Sequence, residues 1–313
     1  MKLTKDSKIA VTSRSFCKSE ELRNNLTKHF SHTKFNEIGI SLKGSALLEF
    51  LSGCDGAIIA LEPIDRELIS NLPNLRYISK YGVGLDSIDI SALQEARVEL
   101  LISPGVNSYS VAEVALSSAI SLLHLVPQHQ NSLASGVWKQ EKGREFKGKS
   151  VGVIGCGHVG MEFLKLSSFF GTELKAYDLN PNLGFFSEFN IKSSSINEIF
   201  ESCDVISVHL PLNSVTRNLI SHKYFKLMKK NAIILNYSRG GIVNESDLYD
   251  HLVSNNFSGA AIDVFQIEPI QESKLLSLPN LIATPHIGGS TEEAILAMGN
   301  AAINQLVSKI KVN

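Results

Sequence analysis

A glycine-rich turn near the middle of the chain has the spacing of a nucleotide-binding loop. Gly155, Gly157 and Gly160 form G-x-G-x-x-G between the apolar run VGVI and the helical pattern MEFLKLSSFF. The first glycine permits a tight bend, the second lets a pyrophosphate approach the backbone, and the third lets the helix pack on the strand. Asp178 ends the next predicted strand, 23 residues after Gly155, where a carboxylate binds ribose hydroxyls and repels a 2′-phosphate. The pattern therefore predicts NAD as the cofactor rather than NADP.

The chain around this turn alternates short apolar runs with helical patterns, which is typical of parallel α/β sheets. Two series of such runs occur, and each is predicted to form a doubly wound sheet. The first series is KIAVTS (8–13), FNEI (35–38), GAIIA (56–60), RYISK (76–80) and VELLIS (98–103). The second is SVGVIG (150–155), ELKAYD (173–178), DVISVHL (204–210), AIILNYS (232–238), SGAAIDVF (258–265) and NLIATPH (280–286). A long helical pattern from about Ser110 to Val137 lies between the two series.

The end of the chain indicates how the two series are joined. The last helical pattern, TEEAILAMGNAAINQLVSKI, has no strand behind it, so it needs another surface to pack on, which the first sheet can supply. The chain then crosses between domains near Pro104 and near Pro285. We therefore predict an α/β protein with two doubly wound parallel-sheet domains. A Rossmann NAD-binding domain (104–286) is inserted into a flavodoxin-like substrate domain (1–103 plus 287–313).

Charge and cysteine content narrow the class of protein. The 30 Lys and Arg residues nearly cancel the 31 Asp and Glu residues, so no basic surplus indicates nucleic acid and no polybasic block indicates a membrane surface. The four cysteines have neither C-x-x-C nor zinc-ligand spacing, so neither disulfides nor a metal site are expected. The N-terminus lacks an apolar signal core. We expect a cytoplasmic protein that acts on a small molecule.

Polar segments follow the last three predicted strands, at the sheet edge where open α/β folds bind ligands. These segments are NYSRGGIVNE, DVFQIEP and TPHIGG. Together with GVGLDSID and the central glycine turn, they resemble the D-2-hydroxyacid dehydrogenase family, the D-isomer-specific enzymes that include 3-phosphoglycerate dehydrogenase. The resemblance covers nearly the whole chain. It implies an NAD-dependent oxidoreductase that transfers a hydride between a D-2-hydroxy acid and NAD.

Three side chains in these segments suit that chemistry. Hydride transfer from an alcohol needs a base for the hydroxyl proton, and the reverse reaction needs an acid, a role that His286 fits. Glu268 can stabilise the imidazolium and raise the pKa of His286. Arg239, beside two glycines, can bind a substrate carboxylate and carbonyl with its planar guanidinium group. We therefore predict that Arg239, Glu268 and His286 are the catalytic residues.

Binding residues are predicted from loop chemistry and from the resemblance. The amides of the segment around Gly82 and Gly84, ahead of a helix expected to be capped by Asp86 or Ser87, suit a carboxylate. Predicted substrate-binding residues are Lys80, Tyr81, Gly82, Val83, Gly84 and Asn107. Predicted cofactor-binding residues are Gly155, Gly157, His158, Val159, Gly160, Asp178, His209, Pro211, Ser238, Asp263, Gly288 and Gly289. His209 and Asp263 suit capping or core roles equally well.

We predict D-3-phosphoglycerate as the substrate, although the sequence also leaves a second class of acid open. Lys80 stands where phosphoglycerate dehydrogenases often carry a basic residue, which favours oxidation of D-3-phosphoglycerate to 3-phosphohydroxypyruvate and a role in serine biosynthesis. Glu62 argues against a phosphorylated substrate, because it stands where a phosphate-binding enzyme of the family would often have an arginine. The chain ends at Asn313, so the regulatory domain of many phosphoglycerate dehydrogenases is not expected. The alternatives are a reductase of glyoxylate, hydroxypyruvate or another 2-oxo acid and, in another class, an NAD-sensing binding protein similar to transcriptional co-repressors.

The resemblance also predicts a homodimer. Trp138 lies in the segment SGVWKQEKGREFKGKS, where the family places a Trp ahead of its glycine turn. In the family the long helix and this segment pack against a second subunit. The expected partners are therefore a small-molecule 2-hydroxy or 2-oxo acid and a second copy of the chain.

Overall fold

The computed structural model describes residues 2–254 and 259–311. In these ranges the strands are β1 (Lys8–Val11), β2 (His32–Phe35), β3 (Gly56–Ile59), β4 (Tyr77–Lys80), β5 (Glu99–Leu101), β6 (Ser150–Ile154), β7 (Glu173–Tyr177), β8 (Lys192–Ser193), β9 (Val205–Val208), β10 (Ile233–Asn236), β11 (Gly259–Ile262) and β12 (Leu281–Ala283). The helices are α1 (Arg14–Lys18), α2 (Glu20–His29), α3 (Gly44–Leu51), α4 (Arg66–Ser70), α5 (Ile90–Glu95), α6 (Ser108–Leu123), α7 (Val126–Ala134), α8 (His158–Ser168), α9 (Leu183–Glu188), α10 (Ile196–Ser202), α11 (His222–Phe225), α12 (Glu245–Ser254) and α13 (Glu292–Val307), with a 3-10 helix at Lys274–Ser277.

The chain divides into two compact units. The first contains Met1–Asn107 and Gly289–Asn313, and the second contains Ser108–Gly288. The first unit is therefore built from both ends of the sequence. Its boundaries fall a few residues from the predicted ones, at 107/108 and 288/289 instead of 103/104 and 286/287.

The first unit has a five-stranded parallel sheet in the order β2-β1-β3-β4-β5. This is the flavodoxin-like order 2-1-3-4-5, as predicted. Strand β3 is buried along its whole length, because helices cover both faces of a parallel sheet. Helix α13 packs on one face, where Met298, Ala302 and Leu306 join a core cluster with Ile9 and Ile58.

The second unit has a seven-stranded parallel sheet in the order β12-β11-β10-β9-β6-β7-β8. When β6 is counted as strand 1 of this sheet, the order read from β8 is 3-2-1-4-5-6-7. Its first six strands have the order of a Rossmann sheet, which confirms the predicted fold class. The strand order reverses between β6 and β9, and ligand-binding crevices open at such points, outside the carboxyl ends of the strands. The continuous apolar run of β6 explains why all five of its residues are buried.

Several predicted elements differ from the structure. The strand predicted at 35–38 lies at His32–Phe35 instead. It is an edge strand of mixed polarity, and the Asn36 side chain leaves the ladder to donate to the carbonyls of Thr12 (3.0 Å) and Ile40 (2.8 Å). The two-residue strand β8 was not predicted, since it is too short to show a pattern. Ser258, included in one predicted strand, lies outside the described residues.

The single long helix predicted from Ser110 to Val137 is two helices. Helices α6 and α7 meet at an angle of 65°, and Leu125 between them has a left-handed backbone with φ 56°. Pro127 has no N–H to donate, so it fits only the first turn of a new helix. Neither α6 nor α7, nor any other single helix in the described ranges, has the length and apolar composition needed to span a membrane.

Candidate active site

The three predicted catalytic side chains follow neighbouring strands of the second unit. Arg239 follows β10, Glu268 follows β11 and His286 follows β12, and these strands are adjacent and parallel. Their carboxyl ends therefore share one edge of the sheet. This parallel arrangement brings residues 47 positions apart in sequence, from 239 to 286, to the same edge.

His286 and Glu268 are in direct contact. The Nδ1 atom of His286 lies 2.7 Å from Oε2 of Glu268, and both side chains are about one-third exposed. The hydrogen bond to Glu268 raises the pKa of His286 above its usual value, against the opposing effect of burial. Burial acts to raise the pKa of Glu268, but hydrogen bonds from His286 and from the Phe265 N–H outweigh it and hold this pKa below the usual value. With Nδ1 engaged, Nε2 is the ring nitrogen that can exchange a proton with a substrate.

The backbone of His286 is strained and held in place by Asp263. His286 has φ 56°, a value that residues other than glycine rarely adopt. Its N–H donates to the Asp263 carbonyl oxygen at 2.8 Å. The buried Asp263 carboxylate accepts from Thr284 Oγ1 (2.6 Å) and from the N–H groups of Ile287 (2.7 Å) and Gly288 (2.8 Å). Asp263 therefore shapes the loop that carries His286.

Arg239 lies in a loop held by a buried asparagine. Asn236 donates from Nδ2 to the Arg239 carbonyl oxygen (3.0 Å) and accepts from the N–H (3.2 Å) and hydroxyl (2.7 Å) of Ser238 through Oδ1. The guanidinium Nη1 of Arg239 donates to the Ser238 carbonyl oxygen at 2.6 Å. The positive charge of Arg239 adds a small lowering effect to the pKa values of both Glu268 and His286, which is consistent with their sharing one site.

Two of the three glycines in the turn are required by close backbone contacts, and the third faces open space. Gly155 has φ 96°, and a Cβ there would lie 2.6 Å from the His209 carbonyl oxygen. A Cβ on Gly160 would lie 2.1 Å from the Gly155 carbonyl oxygen. A Cβ on Gly157 would meet no atom within 4 Å. Gly157 is also the N-cap of α8 and caps the helix with no side chain, so the open space lies next to the amides that begin α8.

Asp178 lies beside this turn at the end of β7. Its Oδ2 accepts from the Cys156 N–H at 2.6 Å, and its Oδ1 accepts from the Asn180 N–H at 2.8 Å. Each carboxylate oxygen can accept a second hydrogen bond. Burial raises the pKa of the Cys156 thiol to about 12, and the negative charge of Asp178 adds to this effect, so Cys156 stays protonated.

The side chain of His209, a predicted cofactor-binding residue, is enclosed by the protein. Nε2 lies 2.7 Å from Ser207 Oγ, the ring centroid is 5.7 Å from that of Phe163, and Nδ1 is buried without a hydrogen-bond partner. Burial lowers the pKa of His209 to about 3. The ring is therefore neutral, and the contribution of His209 at the turn is its carbonyl oxygen beside Gly155. Pro211 is exposed, and its carbonyl accepts from Thr216 Oγ1 at 2.6 Å.

In the first unit, the predicted carboxylate-binding segment follows β4. Gly82 has φ 96°, and Val83 is 37% exposed. The Tyr81 side chain, in contrast, is buried beside Phe16 and accepts a hydrogen bond from Ser15 Oγ at 3.0 Å. Tyr81 therefore offers its backbone, and not its phenol, to a ligand.

The helix cap predicted after this segment is wrong, and the predicted substrate-binding residue Lys80 has a buried side chain. The helix after it is not capped by Asp86 or Ser87: α5 begins at Ile90, and Asp89 caps it by accepting from the Ala92 N–H at 2.9 Å. Lys80 does not extend into solvent. It is only 3% exposed, and its Nζ donates to the Ala60 carbonyl oxygen.

Asn107 and Gly289 pack together at the ends of the two segments that form the first unit. A Cβ on Gly289 would lie 2.7 Å from Asn107 Nδ2, and Asn107 Oδ1 is buried without a hydrogen-bond partner. In the second unit, the carbonyl of Gly288 accepts from Ser110 Oγ at 2.6 Å. A Cβ on Gly288 would lie 3.2 Å from Asp263 Oδ2, so both glycines allow close packing.

Comparison with known proteins identifies the family. Residues 116–288 match the model of the D-isomer-specific 2-hydroxyacid dehydrogenase, NAD-binding domain. The chain belongs to this family. It is 36% identical over 274 residues to the D-3-phosphoglycerate dehydrogenase of Methanocaldococcus jannaschii, covering 86% of this chain but only 52% of that protein. It is 32% identical over 278 residues to the hydroxypyruvate reductase of Thermotoga maritima, covering 87% of this chain and 90% of that protein.

A solved structure agrees with this assignment. The NAD+-bound 3-phosphoglycerate dehydrogenase of Entamoeba histolytica superposes with a TM-score of 0.80 at 27% identity, over 98% of this chain and 99% of that chain. The second unit thus corresponds to the NAD-binding domain of the D-isomer-specific 2-hydroxyacid dehydrogenase family. The chain spans about half the length of the M. jannaschii relative.

The glycine turn of this dehydrogenase domain fits NAD. The open space at Gly157 and the uncapped amides at the start of α8 suit a pyrophosphate. Asp178 directly follows β7, the position at which this type of fold uses a carboxylate to bind the ribose hydroxyls of NAD. Among the described residues, no group of three or more His, Cys, Asp or Glu side chains has the arrangement of a metal site.

Two residues that support the candidate site were not predicted from the sequence. Asn236 is 2% exposed and ends the apolar run AIILN. A polar side chain at the end of a buried strand was the feature of the sequence that could have indicated its role. The Thr284 hydroxyl donates a hydrogen bond to the Asp263 carboxylate. The only indication of this role in the sequence was the position of Thr284 between β12 and His286. Both act through hydrogen bonds across loops, which spacing along one segment does not reveal.

Proposed function

We propose that this protein is an NAD-dependent D-2-hydroxyacid dehydrogenase in which His286 is the acid–base catalyst. The observation that carries the proposal is the 2.7 Å contact between His286 Nδ1 and Glu268 Oε2 at the sheet edge that also holds Arg239. Bound NAD would accept the hydride from the alcohol carbon, and bound NADH would return it to the carbonyl carbon in the reverse direction. The chain itself supplies proton transfer, charge and orientation.

The proton path follows from the ring nitrogens of His286. In oxidation, neutral Nε2 takes the hydroxyl proton, and Glu268 stabilises the resulting imidazolium through Nδ1. In reduction, the imidazolium returns that proton to the carbonyl oxygen. Because Glu268 raises the pKa of His286, the imidazolium persists to a higher pH than that of an unpaired histidine. This favours reduction near neutral pH.

Arg239 is the proposed anchor for the 2-oxo acid. A guanidinium group can donate two parallel hydrogen bonds to a carboxylate or to a carboxylate and an adjacent carbonyl. Its loop is fixed by Asn236, so little ordering is needed on binding. Polarisation of the carbonyl by Arg239 would stabilise the charge that develops on oxygen.

The first experiment follows nicotinamide absorbance with a panel of substrates. D-3-Phosphoglycerate with NAD is compared with hydroxypyruvate, glyoxylate and 2-oxoglutarate with NADH. His286→Ala is expected to abolish turnover of every active substrate while NADH still binds, as measured by fluorescence titration. His222→Ala, an exposed histidine in α11, is the matched control and should keep wild-type turnover. A His286→Ala protein with more than a tenth of wild-type turnover would contradict the proposal.

Two substrate classes are supported by different observations. Similarity to D-3-phosphoglycerate dehydrogenases supports D-3-phosphoglycerate and a role in serine biosynthesis. Similarity to a hydroxypyruvate reductase covers more of the relative, and the enclosed Lys80 is not directed outward to a phosphate. The geometry therefore supports reduction of an unphosphorylated 2-oxo acid better, and the substrate panel distinguishes the two classes.

The homodimer predicted from the sequence has support in the second unit. Helix α7 contains no buried residue, and the segment that begins there exposes Leu133 (56%), Val137 (51%) and Trp138 (82%). A second copy of the chain would remove this apolar surface from water. Light scattering should then give twice the 34.2 kDa mass of the chain, whereas the single-chain mass at micromolar concentration would contradict a homodimer.

A further inference from the structure

A carboxylate that the proposed mechanism does not use binds a peptide group beside the candidate site. This peptide joins Phe265 and Gln266, in the loop that follows β11. Glu245, the first residue of α12, accepts a hydrogen bond from the Gln266 N–H through Oε1 at 2.6 Å. A charged acceptor makes a stronger hydrogen bond than a neutral one. The start of α12 therefore holds the loop that follows β11.

The segments that carry two of the proposed catalytic residues meet at this peptide. A Cβ on Gly240, next to Arg239, would lie 1.9 Å from the Phe265 carbonyl oxygen and 2.6 Å from the Gln266 nitrogen. The backbone of the Arg239 loop thus packs directly on the peptide. The Phe265 N–H donates to Glu268 Oε1 at 2.9 Å. The position of the peptide therefore affects both Arg239 and Glu268.

Glu268 uses its two carboxylate oxygens for different partners. Oε1 accepts from the Phe265 N–H, and Oε2 lies 2.7 Å from His286 Nδ1. The bond at Oε1 orients the whole carboxylate, because the two oxygens belong to one planar group. A displacement of Phe265 would therefore change the contact between Glu268 and His286.

The loop that carries Glu268 has few other attachments. Gln266 is exposed and Ile267 is 74% exposed, so burial does little to fix the backbone here. Among the residues that the structure describes, one hydrogen bond joins a backbone atom of residues 264–269 to another segment, and it is the bond from Gln266 to Glu245. Removal of this acceptor should let the peptide move.

Such a movement should change the pKa of His286. The hydrogen bond to Glu268 is the main cause that raises this pKa, and the charge of Asp263 raises it further, whereas burial and the charge of Arg239 lower it. A hydrogen bond weakens steeply when its geometry is disturbed. Loss of the Glu245 contact should therefore lower the pKa of His286.

We propose that Glu245 is a positioning residue of this site: by binding the Gln266 N–H, it fixes the peptide that aligns Glu268 with His286. The inference rests on the proposed dehydrogenase function and adds a residue to its machinery. Glu245 acts here through the loop backbone and is not a catalytic residue.

The test compares the pH dependence of variants at this carboxylate. Rates of oxidation and reduction are measured across pH with the most active acid of the substrate panel. Glu245→Ala removes the acceptor, so kcat should fall about tenfold or more, and both pH profiles should move to lower pH. Glu245→Gln keeps an acceptor oxygen and should stay within about threefold of the wild-type kcat. NADH affinity, measured by fluorescence titration, should be unchanged in both variants.

Asp247→Ala is the matched control. Asp247 lies in the same first turn of α12, and its Oδ2 accepts from the His222 N–H at 2.8 Å. This variant also removes a carboxylate that binds a backbone N–H at the start of α12, but it leaves the Gln266 contact intact. It should keep the wild-type pH profiles. An equal shift in Asp247→Ala would overturn the inference, since the effect would then come from α12 in general.

A double variant shows whether Glu245 acts through Glu268. In Glu268→Gln the pKa of His286 has already fallen, so the addition of Glu245→Ala should move the pH profiles no further. An additional shift, or folded Glu245→Ala with wild-type kcat and profiles, would overturn the inference.

Glu245→Asp keeps the test decisive if Glu245→Ala does not fold. It retains the negative charge at the start of α12 but shortens the side chain by one methylene, so it should show the same shift to lower pH. Wild-type profiles in Glu245→Asp would then overturn the inference. A wild type that turns over no acid of the panel overturns the proposed function and this inference with it, whereas normal turnover with unmoved variant profiles overturns this inference alone.

Discussion

Gly240 is the position where the smallest substitution should damage the site most. An added Cβ would lie 1.9 Å from the Phe265 carbonyl oxygen, 2.0 Å from its carbonyl carbon and 2.6 Å from the Gln266 nitrogen. Real Cβ atoms essentially never approach closer than 3.0 Å, so the two backbones must separate by at least 1.1 Å (3.0 minus 1.9). All three contacts are backbone atoms, which cannot rotate away.

The backbone separation caused by Gly240→Ala should displace two of the proposed catalytic residues together. Arg239 is the adjacent residue, and the Phe265 N–H donates to Glu268 Oε1 at 2.9 Å. A misplacement of about 1 Å can cost about 100-fold in rate, so we expect kcat/KM of Gly240→Ala to fall about 100-fold. Since the glycine turn is untouched, NADH affinity should change by less than about threefold, well below this loss.

Steady-state kinetics and NADH fluorescence titration test this expectation. Gly184→Ala is the matched control, because a Cβ there meets only Asn182 Oδ1 at an ordinary 3.5 Å. It should retain wild-type kinetics. Circular dichroism checks that both variants fold. Folded Gly240→Ala with more than a third of wild-type kcat/KM would refute the steric reasoning.

Three further changes test other parts of the site. Glu268→Gln should return the pKa of His286 toward its usual value. The rate of oxidation rises with pH as the imidazole becomes neutral, and the rate of reduction falls with pH as the imidazolium is lost. Both pH profiles should therefore move to lower pH in this variant. Unmoved profiles would contradict the role of Glu268. Asp178→Ala should weaken NAD and improve NADP, so that an unchanged ratio of their kcat/KM values counts against that assignment. Gly160→Ala, whose Cβ would meet the Gly155 carbonyl oxygen at 2.1 Å, should weaken NADH at least tenfold in a fluorescence titration, and unaltered affinity would contradict the tight packing of the turn.

The elements that sequence analysis located well are those whose pattern is set by burial. Strands such as β6 and β9 are buried at every residue, so their apolar runs stand out. Elements set by a single backbone conformation were missed. The break between α6 and α7 depends on the left-handed φ of Leu125, and leucine gives no signal for that conformation. The start of α5 depends on which of several polar residues caps it. The sequence suggested Asp86 or Ser87, but the cap is Asp89, a few residues later.

The candidate site was predictable to the extent that parallel topology determines it. Arg239, Glu268 and His286 follow neighbouring strands, so their proximity follows from strand order. The hydrogen bonds that hold the loops of these residues do not follow from strand order. The contacts of Asn236 with the Arg239 loop and of Lys80 with Ala60 depend on side-chain directions that spacing does not specify. Lys80 shows the consequence, because its position indicated a phosphate-binding cation and its contacts indicate an enclosed one.

The supporting bonds explain why the catalytic geometry can exist before a substrate arrives. His286 occupies a strained backbone conformation, which persists only where its surroundings over-determine it. The Asp263 carboxylate supplies that constraint through Thr284, Ile287 and Gly288. Asn236 does the same for the Arg239 loop with a neutral amide. The cost of ordering these groups is thus met during folding, so binding energy can serve orientation of the reacting atoms.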